Sequence, residues 1–443
     1  MANFNKKASW LLLLGDVAAF VAALWLTLFF RGLALPTSQL FWEHIAPFSL
    51  LFIVWILVFF ISGLYDRQSV APANRLPGLL IRTQVVNILI AVAFFYFIPW
   101  YGISPKTILF LYLLVSLALI LLWRIYGYFG LAPRVRERAV IIGSGAEAAD
   151  LTTATRGGVF GVDIVASIDL GREHGDILAE VERQHPSVII ADLHDERVQA
   201  LLPKLYNLIF AQVRFIDMDR VYEDIFDRIP LSLVRHHWFL ENVSTAPKFV
   251  YDLMKRLMDI LIALVLGILS LVLYPFVALA IKIEDGGPIF ITQIRVGKND
   301  RQVKIVKFRS MTIAAQDETG ASKPQSVTRV GLFIRKTRID EVPQLWNVVR
   351  GDLSLIGPRP ELPQFVSVYE REVPFYKIRH LIQPGLSGWA QIYHKTPPKF
   401  AASREDTAMK LSYDLYYIKN RSFLLDLNIA LRTIKELLSR KGV

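Results

Sequence analysis

Apolar positions dominate the first third of the chain in long blocks rather than at spaced intervals. Four blocks occupy residues 10–30, 45–64, 85–98 and 107–123, the third extendable back to Leu79. Each approaches the roughly 20 residues a helix needs to cross a bilayer. A bundle of four transmembrane helices is therefore expected over residues 1–130. The first block follows Lys6 and Lys7 without a small-residue cleavage site, so it reads as a retained anchor. Over residues 138–240 the pattern changes to short apolar runs at 139–142, 163–168, 187–191 and 213–216, with helical stretches at 177–184 and 197–210 between them. This alternation predicts a parallel α/β sheet. Residues 242–250 read as a linker, 260–281 as a fifth apolar block, and 284–443 as a polar domain with an amphipathic helix at 424–438.

Basic residues orient the blocks. Lys6, Lys7, Arg67, Arg75, Arg124, Arg134, Arg136 and Arg138 fall on one side, and the other loops hold little beyond Arg31 and Lys106. An excess of Lys and Arg marks cytoplasmic loops, which puts both ends of the bundle in the cytoplasm. Arg82 can snorkel at the start of the third helix. The fifth block is ambiguous. Its length favours a straight span, but Lys248, Lys255 and Arg256 precede it, Lys282, Arg295 and Lys298 follow it, and Pro275 lies inside. Both flanks want the positive side, which a re-entrant hairpin over 251–283 would satisfy, so the residues alone leave span and hairpin open.

Composition narrows the class. The chain is 53% hydrophobic with a formal net charge of +11, an excess that suits anionic headgroups. It carries no nucleic-acid-binding motif, so no nucleic-acid partner is expected. The absence of cysteine excludes disulfides, thiolate metal sites and a cysteine nucleophile.

The candidate chemistry lies at Ile339-Asp340-Glu341-Val342-Pro343-Gln344-Leu345-Trp346-Asn347. Asp340, with Pro343 in the following turn, predicts a helix start, and Gly351 a stop. On this fragment alone Asp340 is an N-cap. Lys307 and Arg309 end a basic strand, Arg329, Arg335, Lys336 and Arg338 lie upstream, and Arg359 sits between two prolines. Several cations converging on one carboxylate pair suit a phosphate clamp. Magnesium is typically held by one or two carboxylates plus phosphate oxygens, and a carboxylate can also act as a nucleophile.

Residues 255–438 resemble the catalytic domain of bacterial sugar transferases, the monotopic phosphoglycosyl transferases acting on polyprenyl phosphate. The matching runs are Gly287-Pro288-Ile289-Phe290, Gln293-Ile294-Arg295-Val296-Gly297, residues 307–311 and 340–347, Gly351-Asp352-Leu353-Ser354-Leu355-Ile356-Gly357-Pro358-Arg359-Pro360, Pro384-Gly385-Leu386-Ser387-Gly388-Trp389-Ala390-Gln391 and Asp414-Leu415-Tyr416-Tyr417. The whole layout resembles the large branch of that family, which includes the undecaprenyl-phosphate galactose and glucose phosphotransferases. The resemblance implies four transmembrane helices (1–130), a cytoplasmic Rossmann-like α/β accessory domain (138–240), a re-entrant membrane hairpin (251–283) and an α+β monotopic catalytic domain (284–443). It implies transfer of a hexose-1-phosphate from a UDP-hexose to undecaprenyl phosphate at the cytoplasmic face of a bacterial inner membrane. Asp340 would be the covalent nucleophile and Glu341 the Mg²⁺ ligand. Lys307, Arg309, Arg335 and Arg359 would hold phosphates, and Asp414 would bind nucleotide or support the site. A homodimer is a conjecture from the accessory domain.

The chain departs from the family at Arg338-Ile339, where Ser-Leu is usual, at Tyr274 before Pro275, and at Tyr393-His394-Lys395. Gly143-Ser144-Gly145 with Ala148 and Asp169 has the layout of a dinucleotide turn, yet the block is half a full dinucleotide fold, and an assembly role is the bland alternative. Phe365, Tyr369, Phe375 and Tyr376, interleaved with basic residues, suit either an interfacial element or a buried face. Asp16 reads as a helix-pairing residue, and His236 and His237 as surface or linker positions. Two other functions are open. Tyr251 and Lys255 have the spacing of a nucleotide-sugar dehydratase or epimerase pair, and the glycine turn would also suit a non-catalytic nucleotide-sensing scaffold.

Overall fold

The computed structural model describes residues 2–65, 76–98, 106–127, 137–155, 162–171, 177–243, 249–312, 326–394 and 403–438. Arg67, Arg75, Arg134, Arg136, Lys248, Lys395 and most of the polar loop 312–328 lie outside them. The chain divides into two units, Met1–Ile225 and Phe226–Val443.

In the first unit the apolar blocks form α1 (Ala2–Gly32), α2 (Ser38–Ile61), α3 (Leu76–Phe97) and α4 (Lys106–Leu122). Within the first three, Trp10–Gly32, Ser38–Ile61 and Gly78–Phe97 are long and apolar enough to cross a membrane; Ile108–Leu122 in α4 is shorter. A π-helical turn, Trp123–Gly127, prolongs α4. The helices interlock through aromatic rings, with Phe20 stacked on Phe52 and Trp55 tilted against Tyr112. Leu14, Ile53, Leu89 and Phe110 face outward, the reverse of a water-soluble helix. Asp16 does pair helices. Its carboxylate meets Arg124 Nη2 at 2.5 Å and accepts from Tyr65 OH at 2.9 Å, and Arg124 also donates to Leu64 O at 2.8 Å. One buried charge pair thus joins α1, the end of α2 and the π turn.

Four strands follow: β1 (Glu137–Ile142), β2 (Val162–Ile168), β3 (Val188–Ala191) and β4 (Arg214–Asp217), all parallel, in the order β2-β1-β3-β4. Residues 139–142 and 188–191 are buried throughout, as continuous apolar runs should be in a sheet covered on both faces. The glycine turn leads from β1 into α5 (Ala146–Thr155). Gly145 has φ +117°, which suits only glycine. Met218 packs against Gly143, and Arg197 Nη2 reaches Ser144 Oγ at 3.3 Å.

The second unit begins earlier than residue 240. Residues 226–243 pack into it because their apolar side chains are needed there. Ile229, Val234, Trp238 and Phe239 share a core with Tyr376, Trp389, Leu415 and Tyr417, and Trp389 Nε1 donates to Asp227 O at 2.8 Å. The fifth apolar block forms α6 (Phe249–Ser270), a 3₁₀ turn (Leu271–Leu273) and α7 (Tyr274–Asp285), with Pro275 in the first turn of α7. By length and composition the whole stretch Phe249–Asp285 could cross a membrane. Both arms pack on the same domain. Ala263 lies with Leu345 and Val348, and Val277 and Ile281 lie with Phe308 and Ile334. Leu261, Leu269, Val272, Phe276 and Leu279 are exposed.

The polar domain holds an antiparallel hairpin, β5 (Phe290–Val296) with β6 (Gln302–Phe308), and a short parallel pair, β7 (Ser354–Ile356) with β8 (Gly385–Ser387). In the aromatic run Tyr376 is buried and Phe365, Tyr369 and Phe375 are half-buried against the domain. Phe365 stacks on Tyr369, Tyr369 tilts against the buried Tyr376, and Phe375 meets Phe239.

Removing one partner of a buried ion pair strands the other charge, at a cost of about 3–5 kcal/mol, whereas replacing both by apolar groups is far milder. Asp16→Leu and Arg124→Leu are each expected to destabilise the helical unit strongly, and the double substitution to lie nearer the parent. Unfolding titrations in mixed micelles measure all three; a double variant as weak as the worse single one would contradict this account of the pair.

Candidate active site

The hairpin supplies the first wall. Its register sets Gln293 opposite Ile305 and Arg295 opposite Val303. Alternate residues of a strand share a face, so Arg295, Ile305 and Lys307 line one shallow depression together with Gln344, Arg359, Pro360, Gly385 and Leu386.

The acidic pair does not cap a helix as expected. Ile339–Glu341 form a separate 3₁₀ turn, entered through Arg338 in a left-handed conformation (φ 55°), and the helix α8 (Gln344–Arg350) starts only after Pro343. Proline lacks the N–H that would continue the hydrogen-bonding pattern. Neither Arg338 nor Pro343 makes a side-chain cap. Gly351 ends α8 in the left-handed region, as its position predicted. Asn347 staples α8 to the hairpin. Its Nδ2 donates to Lys304 O at 2.7 Å and its Oδ1 accepts from Val306 N at 3.3 Å. Arg256 of α6 donates to Val348 O and Val349 O at 2.7 and 2.8 Å, holding the far end of α8.

The two carboxylates are then driven apart electrostatically. Glu341 Oε1 accepts from Arg359 Nη2 at 2.6 Å and lies 3.6 Å from Lys307 Nζ, and Oε2 lies 3.8 Å from Arg338 Nη1. Burial pushes Glu341 up, but Arg359 and Lys307 outweigh it and hold the group down at about 2. Asp340, 8% exposed, has no such partner among the described residues. Burial first, and the charge of Glu341 second, push it up to about 6 against Lys307, Arg335 and Arg359. Burial also lowers Lys307. One site thus holds one carboxylate well below the usual range beside one raised to about 6, a pattern typical of reacting groups.

Arg359 is itself braced. Arg379 Nη2 donates to Arg359 O at 2.9 Å and lies 2.8 Å from Asp414 Oδ2, and Arg379 Nη1 donates to Tyr376 OH at 2.5 Å. The strands beneath cross closely. Gly357 N donates to Ser387 O at 2.8 Å and Gly385 N to Pro358 O at 2.9 Å, and a Cβ on Gly385 would strike the Gly357 backbone.

The structure gathers Asp340, Glu341, Lys307 and Arg359 at one place. Arg335, exposed on the helix Arg329–Lys336, acts on Asp340 through its field. Arg309 is turned away: it is buried and ion-paired with Asp285 at the end of α7. Asp414 is 1% exposed and faces Arg379, so it supports the Pro-Arg-Pro turn rather than lining the depression. Burial pushes Asp414 up to about 6 against the pull of Arg379. Tyr251 and Lys255, the dehydratase-like pair, both bind Asp426, at 2.8 and 3.0 Å, far along the chain from the glycine turn. Sequence reading missed Gln344, Asn347, Arg256 and Arg379 as site residues. Strand alternation could have flagged Arg295; the others carry no local signal.

Comparison with known proteins bears on residues 250–440, which match the sequence profile described as "Bacterial sugar transferase". Over 259 residues the chain is 40% identical to the UDP-N-acetylgalactosamine-undecaprenyl-phosphate N-acetylgalactosaminephosphotransferase of Aeromonas hydrophila, covering 57% of this chain and 59% of that protein. It is 37% identical over 225 residues to the undecaprenyl-phosphate glucose phosphotransferase of Komagataeibacter xylinus, covering 47% and 42%. It is also 37% identical over 193 residues to the uncharacterized sugar transferase EpsL of Bacillus subtilis (strain 168), covering 43% of this chain and 90% of that protein. The chain thus spans about half the length of the first two relatives.

If Asp414 holds the arginine turn through Arg379, removing its charge should loosen that turn. Asp414→Asn is expected to speed amide hydrogen exchange over residues 357–362 by about tenfold or more, the equivalent of ~1.4 kcal/mol of local stability. Exchange in β1–β4 should not change. Unaltered exchange over 357–362 would remove the brace from this description.

Proposed function

Because the chain belongs to the bacterial sugar transferase family, we propose that it is a phosphoglycosyl transferase that moves a sugar-1-phosphate from a UDP-sugar to undecaprenyl phosphate. This is an initiating step for exopolysaccharide, capsule or O-antigen synthesis. The observation that carries the reading is the adjacent carboxylate pair, the buried Asp340 beside a Glu341 that meets Arg359 at 2.6 Å and Lys307 at 3.6 Å. The printed names of the relatives divide between N-acetylgalactosamine and glucose as the transferred sugar, so both UDP-sugars are candidate donors.

In this reading an Asp340 carboxylate oxygen attacks the β-phosphorus of the donor. The bond to the bridging oxygen breaks, UMP leaves with that electron pair, and a phosphosugar remains on Asp340. An oxygen of undecaprenyl phosphate then attacks the same phosphorus, the acyl-phosphate bond breaks, and Asp340 is restored as the carboxylate. Lys307 and Arg359 neutralise the charge that gathers on the phosphoryl oxygens, the main protein contribution to such transfers. Arg335 adds to the same field from the rim.

Magnesium belongs to this proposal. Glu341 is a hard oxygen donor of the kind the ion takes, and it stays ionised at any working pH. Three cations crowd it, so a free divalent ion is disfavoured until a diphosphate adds negative charge and engages Arg359. Glu341 would then hold the ion, which when bound would neutralise diphosphate charge.

The membrane arrangement is proposed with it. The break at Ser270–Tyr274, with both arms seated on one polar domain and their outer faces apolar, supports a hairpin that enters and leaves by the cytoplasmic face of a bacterial inner membrane. The order of the parallel strands supports a Rossmann-like accessory domain. A homodimer is carried only by analogy with that domain.

Two outcomes test the chemistry. Asp340→Asn should abolish lipid-linked product and UMP release in membranes given labelled UDP-sugars. Ionised Asp340 opposes folding, because its folded pKa lies above the unfolded one; this penalty is absent below the unfolded value and complete above about 6. The same variant should therefore be no less stable than the parent at pH 7. Product formation by Asp340→Asn would end the nucleophile assignment. In the parent, the rate of UMP release should fall as pH drops through about 6, as the nucleophile is protonated; a rate flat from pH 7 to 5 would contradict the role given to Asp340.

A further inference from the structure

Gln344 is the residue of this site that the acid-and-cation chemistry leaves unused. It opens α8, four positions beyond Asp340, and is 5% exposed. Its Nε2 is buried and makes no hydrogen bond among the described residues. Its neighbours are engaged. Asn347, three residues on, bonds Lys304 O, Val306 N and Asp352 Oδ2. Arg295 donates to Pro360 O at 3.1 Å and to Gln293 Oε1 at 2.9 Å. Lys307 and Arg359 face Glu341. A buried N–H without an acceptor costs stability, and native proteins rarely keep one without a use.

Where Gln344 sits says what the acceptor is. It lines the depression shared by Arg295, Lys307 and Arg359, three cations around one uncharged donor. Cations of that density call for an oxyanion, and an amide N–H adds a directed hydrogen bond without a further charge. We propose that Gln344 is a substrate-contacting residue whose Nε2 donates to a phosphoryl oxygen of a nucleoside diphosphate bound in this depression. The proposal rests on the transferase reading above and adds a donor to it. That donor has no acceptor among the described residues, so Gln344 favours binding at the expense of the unliganded fold.

This gives two readouts that move in opposite directions, which a merely structural glutamine would not do. The test uses the full chain in lipid nanodiscs, with UDP as the probe and uridine as the arm lacking phosphate. Gln344→Met keeps length and helix preference but removes the amide. It should raise the apparent melting temperature of the free protein, weaken the thermal stabilisation given by UDP but not any given by uridine, and lower kcat/KM for the UDP-sugar by about 10–100-fold. Gln344→Glu, nearly isosteric, guards against a packing artefact. It should lose UDP binding more severely than Gln344→Met, because it sets a carboxylate against phosphate. A Gln344→Met protein with a lower melting temperature and unchanged UDP stabilisation would make Gln344 a packing residue and overturn the proposal. A parent protein that neither responds to UDP nor forms lipid-linked product would instead overturn the transferase reading, and the proposal with it.

Discussion

Two carboxylates on consecutive residues cannot both be buried and charged unless cations come to them. That constraint organises the second unit. Glu341 takes the cations, with Arg359 at 2.6 Å and Lys307 and Arg338 within 4 Å. Asp340 takes the consequences, burial and a negative neighbour, and is pushed toward neutrality. The pair behaves as a unit because the same few charges hold one member low and leave the other raised. Each cation comes from a different element, so the hairpin, the Pro-Arg-Pro turn and the 3₁₀ turn must all be in register for the split to exist.

That register is held from below and from the apolar side. Asn347 fixes α8 to the edge of β6, and the paired glycines let β7 and β8 approach closely enough to aim Arg359. The apolar segment α6–α7 contributes as much. Arg256 caps α8, Asp259 accepts from Ser354 Oγ at 2.7 Å and Leu355 N at 3.2 Å, and Asp285 at the other end holds Arg309. The segment most suited to lipid therefore frames the polar chemistry directly, through charged groups placed where each arm meets the domain. The first unit uses the same device. Asp16 and Arg124 are tolerable in an apolar bundle only as a pair satisfied by Tyr65 and Leu64, and so satisfied they specify which helix ends meet.

The order of the chain by itself determined the apolar blocks, the parallel sheet, the stop at Gly351, the break near Pro275 and the motifs of the family. These depend on periodicity, on the fixed geometry of proline and glycine, and on runs of neighbouring residues, all of which are local. It also brought Asp340, Glu341, Lys307 and Arg359 forward together. The tertiary structure alone decided which acid is raised and which is lowered, why Asp340 is not a cap, that Arg309 belongs to Asp285 and Asp414 to Arg379, that residues 226–243 complete the second unit's core, and that Gln344 Nε2 has no partner among the described residues beside three cations. The reason is physical. Charge, burial and hydrogen-bond satisfaction belong to contacts rather than to residues, and here the deciding contacts join positions far apart in the chain, as Lys307 meets Glu341 and Arg379 meets Asp414.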